Sequence, residues 1–463
     1  MASLESLLRW LNSHINLEAG QKTAGQRGRG GEPMAGATDG LSLSGMRSLL
    51  TMLGEPQLDL AAVQLTGTNG KGSTAAILAS TLHTHGVRVG TYASPHVERI
   101  NERIRLDTEP VSDEILAEAL ADVKLAADHV TEQGTTLSWF ELMTAAAYRI
   151  FNDHAVQVAI IEVGMLGRFD ATNVIDAEVA IVTNLSRDHT DGQPGWREKV
   201  AHEKAGIISP GSTLILGPVG PDVAPIFRNE GASRILEAET DFSVLRNGLA
   251  VGGRVVDIRT SRGQYEDLFV ALNGEVQAAN TALAMVAAEE MLGTTLDPDL
   301  LGQGLAAVQM PGRFEVVGRE PLVVLDGAHN PAGAAVAAET LRSDFNFFGD
   351  TYMLLGWMKG KDPTEMLEAF DARNAELVVI TEPSWPRVMP ATEIAAAARA
   401  MGVAHEIVSS PLDGLDRLRT LAAENDAILV AGSFYLVGPV RTALRSDRGD
   451  EHGDEHGDDD GAH

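Results

Sequence analysis

The chain has 463 residues, a formal net charge of −29, 44% hydrophobic residues and no cysteine. That length exceeds one ordinary core and favours two domains. The charge argues against a protein that wraps nucleic acid, the missing thiols exclude a disulfide framework, and no apolar run approaches the roughly 20 residues of a membrane span. A cytoplasmic enzyme acting on small molecules is the expected class.

In chain order, MASLESLLRWLNS opens as a short amphipathic stretch, and Gly20–Gly40 reads as a mobile loop rich in Gly, Arg and small residues. The run Ala61–Leu65 then stops at Gly67–Ser73, GTNGKGS, and a small-residue helical pattern follows. Gly67, Gly70 and Gly72 can turn successive N–H groups toward one anion, and a helix start adds a favourable dipole. Lys71 would reach the outer phosphates of a nucleotide, with Ser73 beside its magnesium. Because Leu65 holds the first glycine position of G-x-x-x-x-G-K-[ST] and Gly72 follows the lysine, a generic kinase or GTPase reading is weakened.

Further strand-like runs are Val156–Val163, Val179–Thr183, Thr213–Leu216, Val323–Leu325, Tyr352–Leu355, Leu377–Thr381 and Ala427–Val430. Continuous apolar runs alternating with helical stretches predict an α/β fold with parallel strands covered on both faces and active residues at their carboxyl ends. Phe242–Leu272 reads as a small antiparallel hairpin, and Gln309–Arg319, broken by Pro311 and Gly312, as an interdomain hinge. The expected organisation is a larger nucleotide-binding domain over 1–308, a smaller α/β domain over 309–445 and a disordered acidic tail over 446–463.

Chemistry-bearing residues fall at the ends of these runs. Glu162 sits where a strand meets a glycine turn and can hold magnesium; an N-cap or surface acid is the alternative. Asp188, His189 and Asp191 follow another strand and form a candidate ligand cluster, although a lone histidine is more often simply packed. Asp326, His329 and Asn330 close VVLDGAHNP in the same way.

Taken in series, GTNGKGS, SPHVERINERIRLD (Ser94–Asp107), SWFELMTAAA (Ser138–Ala147), EVGMLGRFDATNV (Glu162–Val174), DHTD (Asp188–Asp191), EKAGII (Glu203–Ile208), MPGRF (Met310–Phe314), LDGAHNP (Leu325–Pro331) and AGSFYLVGPVR (Ala431–Arg441) resemble the folylpolyglutamate synthase/dihydrofolate synthase branch of the ATP-dependent Mur ligases. The resemblance implies a large P-loop domain with a mainly parallel sheet and a smaller Rossmann-like C-terminal domain. It implies that ATP meets Gly67, Thr68, Asn69, Gly70, Lys71, Gly72, Ser73, Asn280, Arg313 and Asp326, and that Ser94, Glu162, His189 and Lys204 serve the magnesium, with Lys204 carried as a carbamate. Lys71, Glu162, His189, Lys204 and Arg313 would be the catalytic set. Phe169, Asp170 and Ala171 would face the pteroate, His329 and Ser433 would lie near the incoming glutamate, and Ser138 would be a further substrate residue. ATP and Mg2+ are the implied cofactors, with a monovalent cation such as K+ as a further candidate. Folate or dihydropteroate and L-glutamate are the implied partners of a monomer that binds neither nucleic acid nor membrane.

Three departures bear on the acceptor: the long Gly20–Gly40 loop, Leu166 in place of a glycine, where a bulky side chain would narrow the approach to the pterin, and Val276 together with GQPGW, which replace common family residues. The phosphate loop and metal positions are untouched. An amide ligase for another carboxylate is therefore the alternative reading, and a nucleotide-binding regulator without turnover is the third.

Overall fold

The computed structural model describes residues 3–16, 42–188 and 194–451, the last with side chains up to 446. The Gly20–Gly40 loop, His189, Asp191 and residues 452–463 of the acidic tail lie outside the described residues, whereas the tail's first part, expected to be disordered from 446, continues a helix to Glu451. The chain forms two compact units, Met1–Met310 and Pro311–His463.

The first unit is built on eight strands: β1 Ala61–Thr66, β2 Val89–Tyr92, β3 Ile104–Leu106, β4 Glu109–Pro110, β5 Val158–Glu162, β6 Val179–Val182, β7 Thr213–Leu216 and β8 Arg234–Glu237. They lie in the order β4-β3-β2-β5-β1-β6-β7-β8. From β2 to β8 the pairing is parallel, while β3 and β4 add an antiparallel edge. The helices are α1 Leu4–Leu11, α2 Ser44–Met52, α3 Lys71–Thr84, α4 Asp113–Glu132, α5 Trp139–Asp153, α6 Trp196–Ala205, α7 Ala224–Arg228, α8 Val276–Leu292 and α9 Pro298–Ala307. Side chains alternate across a strand, and the two faces here have separate cores. Ala62, Ala159 and Ile161 pack with residues of α4 and α5, while Val63, Leu65, Val158 and Ile160 pack with residues of α3, α8 and α9.

The expected hairpin at Phe242–Leu272 is a three-stranded antiparallel sheet, β9 Ser243–Ala250, β10 Gly253–Arg259 and β11 Gln264–Val270. Val256, Ile258 and Leu268 on this sheet close over the same core as α8.

The second unit carries β12 Glu315–Arg319, β13 Leu322–Asp326, β14 Thr351–Leu355, β15 Leu377–Ile380, β16 His405–Ile407 and β17 Ala427–Ala431. Their order is β12-β13-β17-β14-β15-β16, with only β12 antiparallel. Helices α10 Pro331–Asp344, α11 Pro363–Ala369 and α12 Ala391–Met401 share one core with the sheet. Helices α13 Pro411–Leu421 and α14 Phe434–Glu451 also pack against its strands. The segment read as an irregular hinge differs in its second half: Glu315–Arg319 is a strand, held by a ladder that absorbs an irregularity at Gly318. Strand formation there depends on pairing with β13, a non-local contact that local breakers do not veto.

Candidate active site

Lys71 opens α3 directly after Gly70, which has a left-handed φ of +84°, so the chain passes from β1 to α3 through four residues. That short loop is pinned from the side by the residues following β6. Thr183 Oγ1 and Asn184 Nδ2 both donate to the Asn69 carbonyl, at 2.6 and 2.8 Å, and Asn69 N donates to Asn184 Oδ1 at 3.1 Å. Thr68 Oγ1 donates to Ser186 O and accepts from Ser186 N. Thr183, Asn184 and Ser186 were not singled out from the sequence. The signal was there as polar residues at a strand's carboxyl end, overshadowed by the neighbouring acids and histidine.

The other side of the loop meets α8. Asn280 is buried beside Gly70 and donates from Nδ2 to Gln277 Oε1 at 2.9 Å. Gly72 and Ser73 lie in the first turn of α3, with Ser73 buried. Unlike Gly67 and Gly70, Gly72 is helical and requires no left-handed backbone.

Two lysines converge on one carbonyl. Gly67 O accepts from Lys71 Nζ at 3.2 Å and from Lys204 Nζ, on α6, at 2.7 Å; Lys71 also donates to Thr68 O. Glu162 ends β5, whose register sets it beside Leu65 of β1, and its Oε1 lies 4.0 Å from Lys71 Nζ. Its other oxygen accepts from Ser94 N at 3.4 Å. Thus Lys71, Lys204, Glu162 and Ser94 are brought to one end of the parallel sheet. Burial lowers the Lys204 pKa to about 7, helped by repulsion from Lys71 and opposed by Asp188 and Asp170.

The loop after β5 packs on α6 through Arg168, whose backbone N donates to Glu203 O. Asp170 and Ala171 are buried, whereas Phe169 is exposed. Asp170 accepts from Met165 N, Thr172 N and Thr172 Oγ1, and burial outweighs these bonds in raising its pKa. Its oxygens therefore organise the loop. Leu166 has a φ of +60° and a buried side chain, with its carbonyl accepting from Thr66 Oγ1, so this bulky residue is folded inward. Ser138 is the N-cap of α5 in a capping box with Glu141, a fold-building role.

In the second unit, Asp326 ends β13 and ties two turns together, accepting from Phe314 N at 2.8 Å and Ala328 N at 2.7 Å. Burial raises its pKa while Arg313 pulls it down. The Arg313 guanidinium stands 4.4 Å from the centre of the Phe434 ring. His329 Nδ1 lies 2.9 Å from Gly327 O, which makes Nδ1 the protonated nitrogen in the neutral ring and leaves Nε2 as an acceptor. Ser433, buried at the start of α14, accepts from Tyr435 N. These residues share the carboxyl-end edge of the sheet, since β13 and β17 pair in parallel with Asp326 opposite Ala431.

A model of the Mur ligase middle domain matches residues 65–288, and one of the Mur ligase glutamate ligase domain matches residues 312–434. The dihydrofolate synthase/folylpolyglutamate synthase of Mycobacterium tuberculosis is 35% identical over 415 residues, covering 85% of this chain and 82% of that protein. The chain belongs to the dihydrofolate synthase/folylpolyglutamate synthase family. Solved structures of this family share its fold. The Mycobacterium tuberculosis folylpolyglutamate synthase complexed with ADP and AMPPCP superposes with a TM-score of 0.83 at 33% identity, covering 87% of this chain and 95% of that one. A bifunctional folylpolyglutamate synthase/dihydrofolate synthase with Mn, AMPPNP and L-glutamate bound gives 0.81 at 26% identity, covering 96% and 98%.

The residues present fit a nucleotide and a divalent ion. A backbone cradle closed by Thr183 and Asn280 leaves no room for side chains at Gly67 and Gly70. Two ammonium groups already crowd its carbonyl, and a buried carboxylate lies beside them.

Proposed function

We propose that this chain is an ATP-dependent ligase that joins the amino group of L-glutamate to the carboxylate of a folate, with dihydropteroate as a second acceptor. The observation that carries this reading is the convergence of Lys71 and Lys204 on the Gly67 carbonyl beside Glu162, at the ends of neighbouring parallel strands. The alternative acceptor class is not favoured, because relatives that cover 85% and 87% of this chain are named for folate ligation.

A carboxylate does not condense with an amine unaided, since oxide would have to leave. The acceptor carboxylate oxygen bonds to the γ-phosphorus of ATP while the bond to ADP breaks, and the glutamate amine then attacks the acyl carbon and expels phosphate. Lys71 leaves its two carbonyl acceptors for phosphate oxygens, a gain because the ammonium then meets opposite charge in place of neutral acceptors. Arg313 supplies a second cation to the phosphoryl group, and the loop N–H groups hold the chain of phosphates. Glu162 and Ser94, with His189, hold magnesium, which spreads the developing phosphoryl charge when bound. His329 and Ser433 hold the glutamate, and Phe169 and Ala171 the pteroate side.

Lys204 is proposed to act as a carbamate. Carbon dioxide adds to a neutral amine, and a pKa of about 7 provides that form near neutral pH. The product anion would turn repulsion from Lys71 into attraction. A carbamate carbon in the NMR spectrum of protein equilibrated with 13C-labelled carbon dioxide, absent in Lys204→Met, tests this. The reading extends to a monomer in the cytoplasm; light scattering of the purified protein tests the oligomeric state.

Incubation with ATP, magnesium, L-glutamate and tetrahydrofolate or dihydropteroate is expected to release ADP and yield an acceptor heavier by one glutamyl group. No ADP release with either acceptor overturns the folate assignment.

A further inference from the structure

We infer that Phe434 is a positioning residue for the transferring phosphoryl group: its ring face holds the Arg313 guanidinium in the orientation the reaction uses. The inference rests on the proposed role of Arg313, and deepens it. Arg313 belongs to the turn that enters β12, and its guanidinium carbon lies 4.4 Å from the Phe434 ring centre, within the range of an attractive contact between a cation and a π face. A guanidinium is planar, so stacking fixes its plane as well as its place and leaves its edge N–H groups for an anion.

Two features mark the contact as built around the buried Phe434 ring. Gly327 is the floor beneath it: a side-chain carbon there would overlap the ring edge, and the absence of one lets the ring lie over the turn. The turn carrying Arg313 is itself fixed by Asp326, which accepts from Phe314 N, and by Gly327 N, which donates to Gly312 O at 2.7 Å. Phe314 has a φ of +44°, a conformation that needs such anchoring. Asp326 supplies the attractive charge and Phe434 the face. Neither replaces the other: a carboxylate alone would draw the guanidinium into an ion pair and away from phosphate.

The test is a cycle of full-length proteins, wild type, Phe434→Leu, Arg313→Ala and the double variant, titrated calorimetrically with magnesium and AMPPNP, followed by steady-state kinetics of amide formation. Phe434→Leu is expected to weaken nucleotide binding about 3- to 30-fold where Arg313 is present, and by no more than about twofold in the Arg313→Ala background. Phe434→Tyr keeps the π face and is expected to restore both Kd and kcat. Equal losses in both backgrounds, or no loss in Phe434→Leu, overturn the inference, because a merely structural ring would act without Arg313. If Phe434→Leu does not fold, Phe434→Met in the same cycle gives the same comparison. Failure of the wild type to bind AMPPNP overturns the parent reading along with it, whereas a wild type that binds and turns over while Phe434→Leu behaves identically overturns this inference alone.

Discussion

Replacing Gly70 by alanine is the sharpest test of the phosphate loop, because Gly72 provides a control two residues further on. At Gly70 φ is +84°, and a Cβ would stand 2.5 Å from Asn280 Oδ1. Left-handed backbone costs a non-glycine residue roughly 1–2 kcal/mol. Displacing Asn280 from Gln277 removes a buried hydrogen bond of 2.9 Å, about 1 kcal/mol more. The sum, roughly 2–3 kcal/mol, corresponds to a fall in Tm of about 3–5 °C for a unit the size of Met1–Met310. At Gly72 a Cβ would meet only Glu162 Oε2 and Met310 Cε, each at 3.6 Å and in ordinary contact, on a helical backbone. Alanine favours a helix by up to about 1 kcal/mol over glycine, so Gly72→Ala is expected to keep the wild-type Tm. Differential scanning calorimetry together with titration of magnesium and AMPPNP measures both. Gly70→Ala should unfold earlier and bind at least tenfold more weakly, since 1.4 kcal/mol of loop distortion suffices for that. A Gly70→Ala protein with wild-type Tm and Kd, or a Gly72→Ala protein that falls as far as Gly70→Ala, would refute the assigned loop geometry.

Asn184→Ala removes both side-chain bonds to Asn69, at 2.8 and 3.1 Å, and is expected to cost about 2 kcal/mol and to raise the Kd for AMPPNP without moving the KM for glutamate. Glu315→Ala removes the carboxylate that accepts from Arg441 Nε at 2.8 Å and from Gly312 N at 2.8 Å. Loss of these two bonds is expected to cost about 2 kcal/mol, read as an earlier calorimetric transition, and an unchanged Tm would discount the pair. For Lys204, the native pKa of about 7 against the ordinary lysine value of 10.5 means that the unfolded chain binds more protons between those limits. The penalty for burying its charge is full below pH 7 and lifts as pH rises, so wild type should gain roughly 2–3 kcal/mol on Lys204→Met between pH 7 and pH 9 in carbon dioxide-free urea titrations. A difference that is flat with pH would show that Lys204 is not buried as a free amine.

The sequence carried the long-period features of the fold well and the short-range geometry of the site poorly. Runs such as Val179–Val182 and Ala427–Ala431 are legible because strands buried on both faces must be apolar throughout. Strand Val89–Tyr92 escaped notice: it contains Gly90, whose missing side chain makes room for the Phe151 ring, so tertiary packing set what local composition concealed. The same holds for Glu315–Arg319. At the site, the motif announced Lys71 and Glu162 but treated the three glycines alike. Only the backbone separates Gly67 and Gly70, which require positive φ, from Gly72, which does not. The polar trio Thr183, Asn184 and Ser186 was invisible as a unit because its partners lie more than a hundred positions away in the chain. Asp170 and Ser138 carry motif identity, yet their atoms are engaged in a loop and a helix cap, so a recurring residue there reports architecture as much as contact with a ligand.

The overall charge of −29 is no obstacle to an anionic nucleotide, and the reason lies in distances. At physiological ionic strength the Debye length is about 8 Å, so exposed acids elsewhere on the surface are screened from the loop. Within that radius the groups that touch the loop's own carbonyls are cations. Lys71 and Lys204 share the Gly67 carbonyl as acceptor. Of the carboxylates around them, Glu162 stays 4.0 Å from Lys71, and Asp170 spends its oxygens on Met165 and Thr172. Neutral carbonyls thus hold cations that would be better matched by phosphate, and the exchange of one for the other is favourable without any rearrangement of the loop. The depressed pKa of Lys204 expresses the same imbalance, since part of it is repulsion from Lys71. An arriving phosphate relieves that repulsion. Nucleotide binding is accordingly expected to raise the Lys204 pKa and to draw a proton from the buffer wherever the amine is free. Calorimetric titrations in buffers of different ionisation enthalpy measure that uptake, and no uptake near pH 7.5 by protein freed of carbon dioxide would break the link between the two lysines.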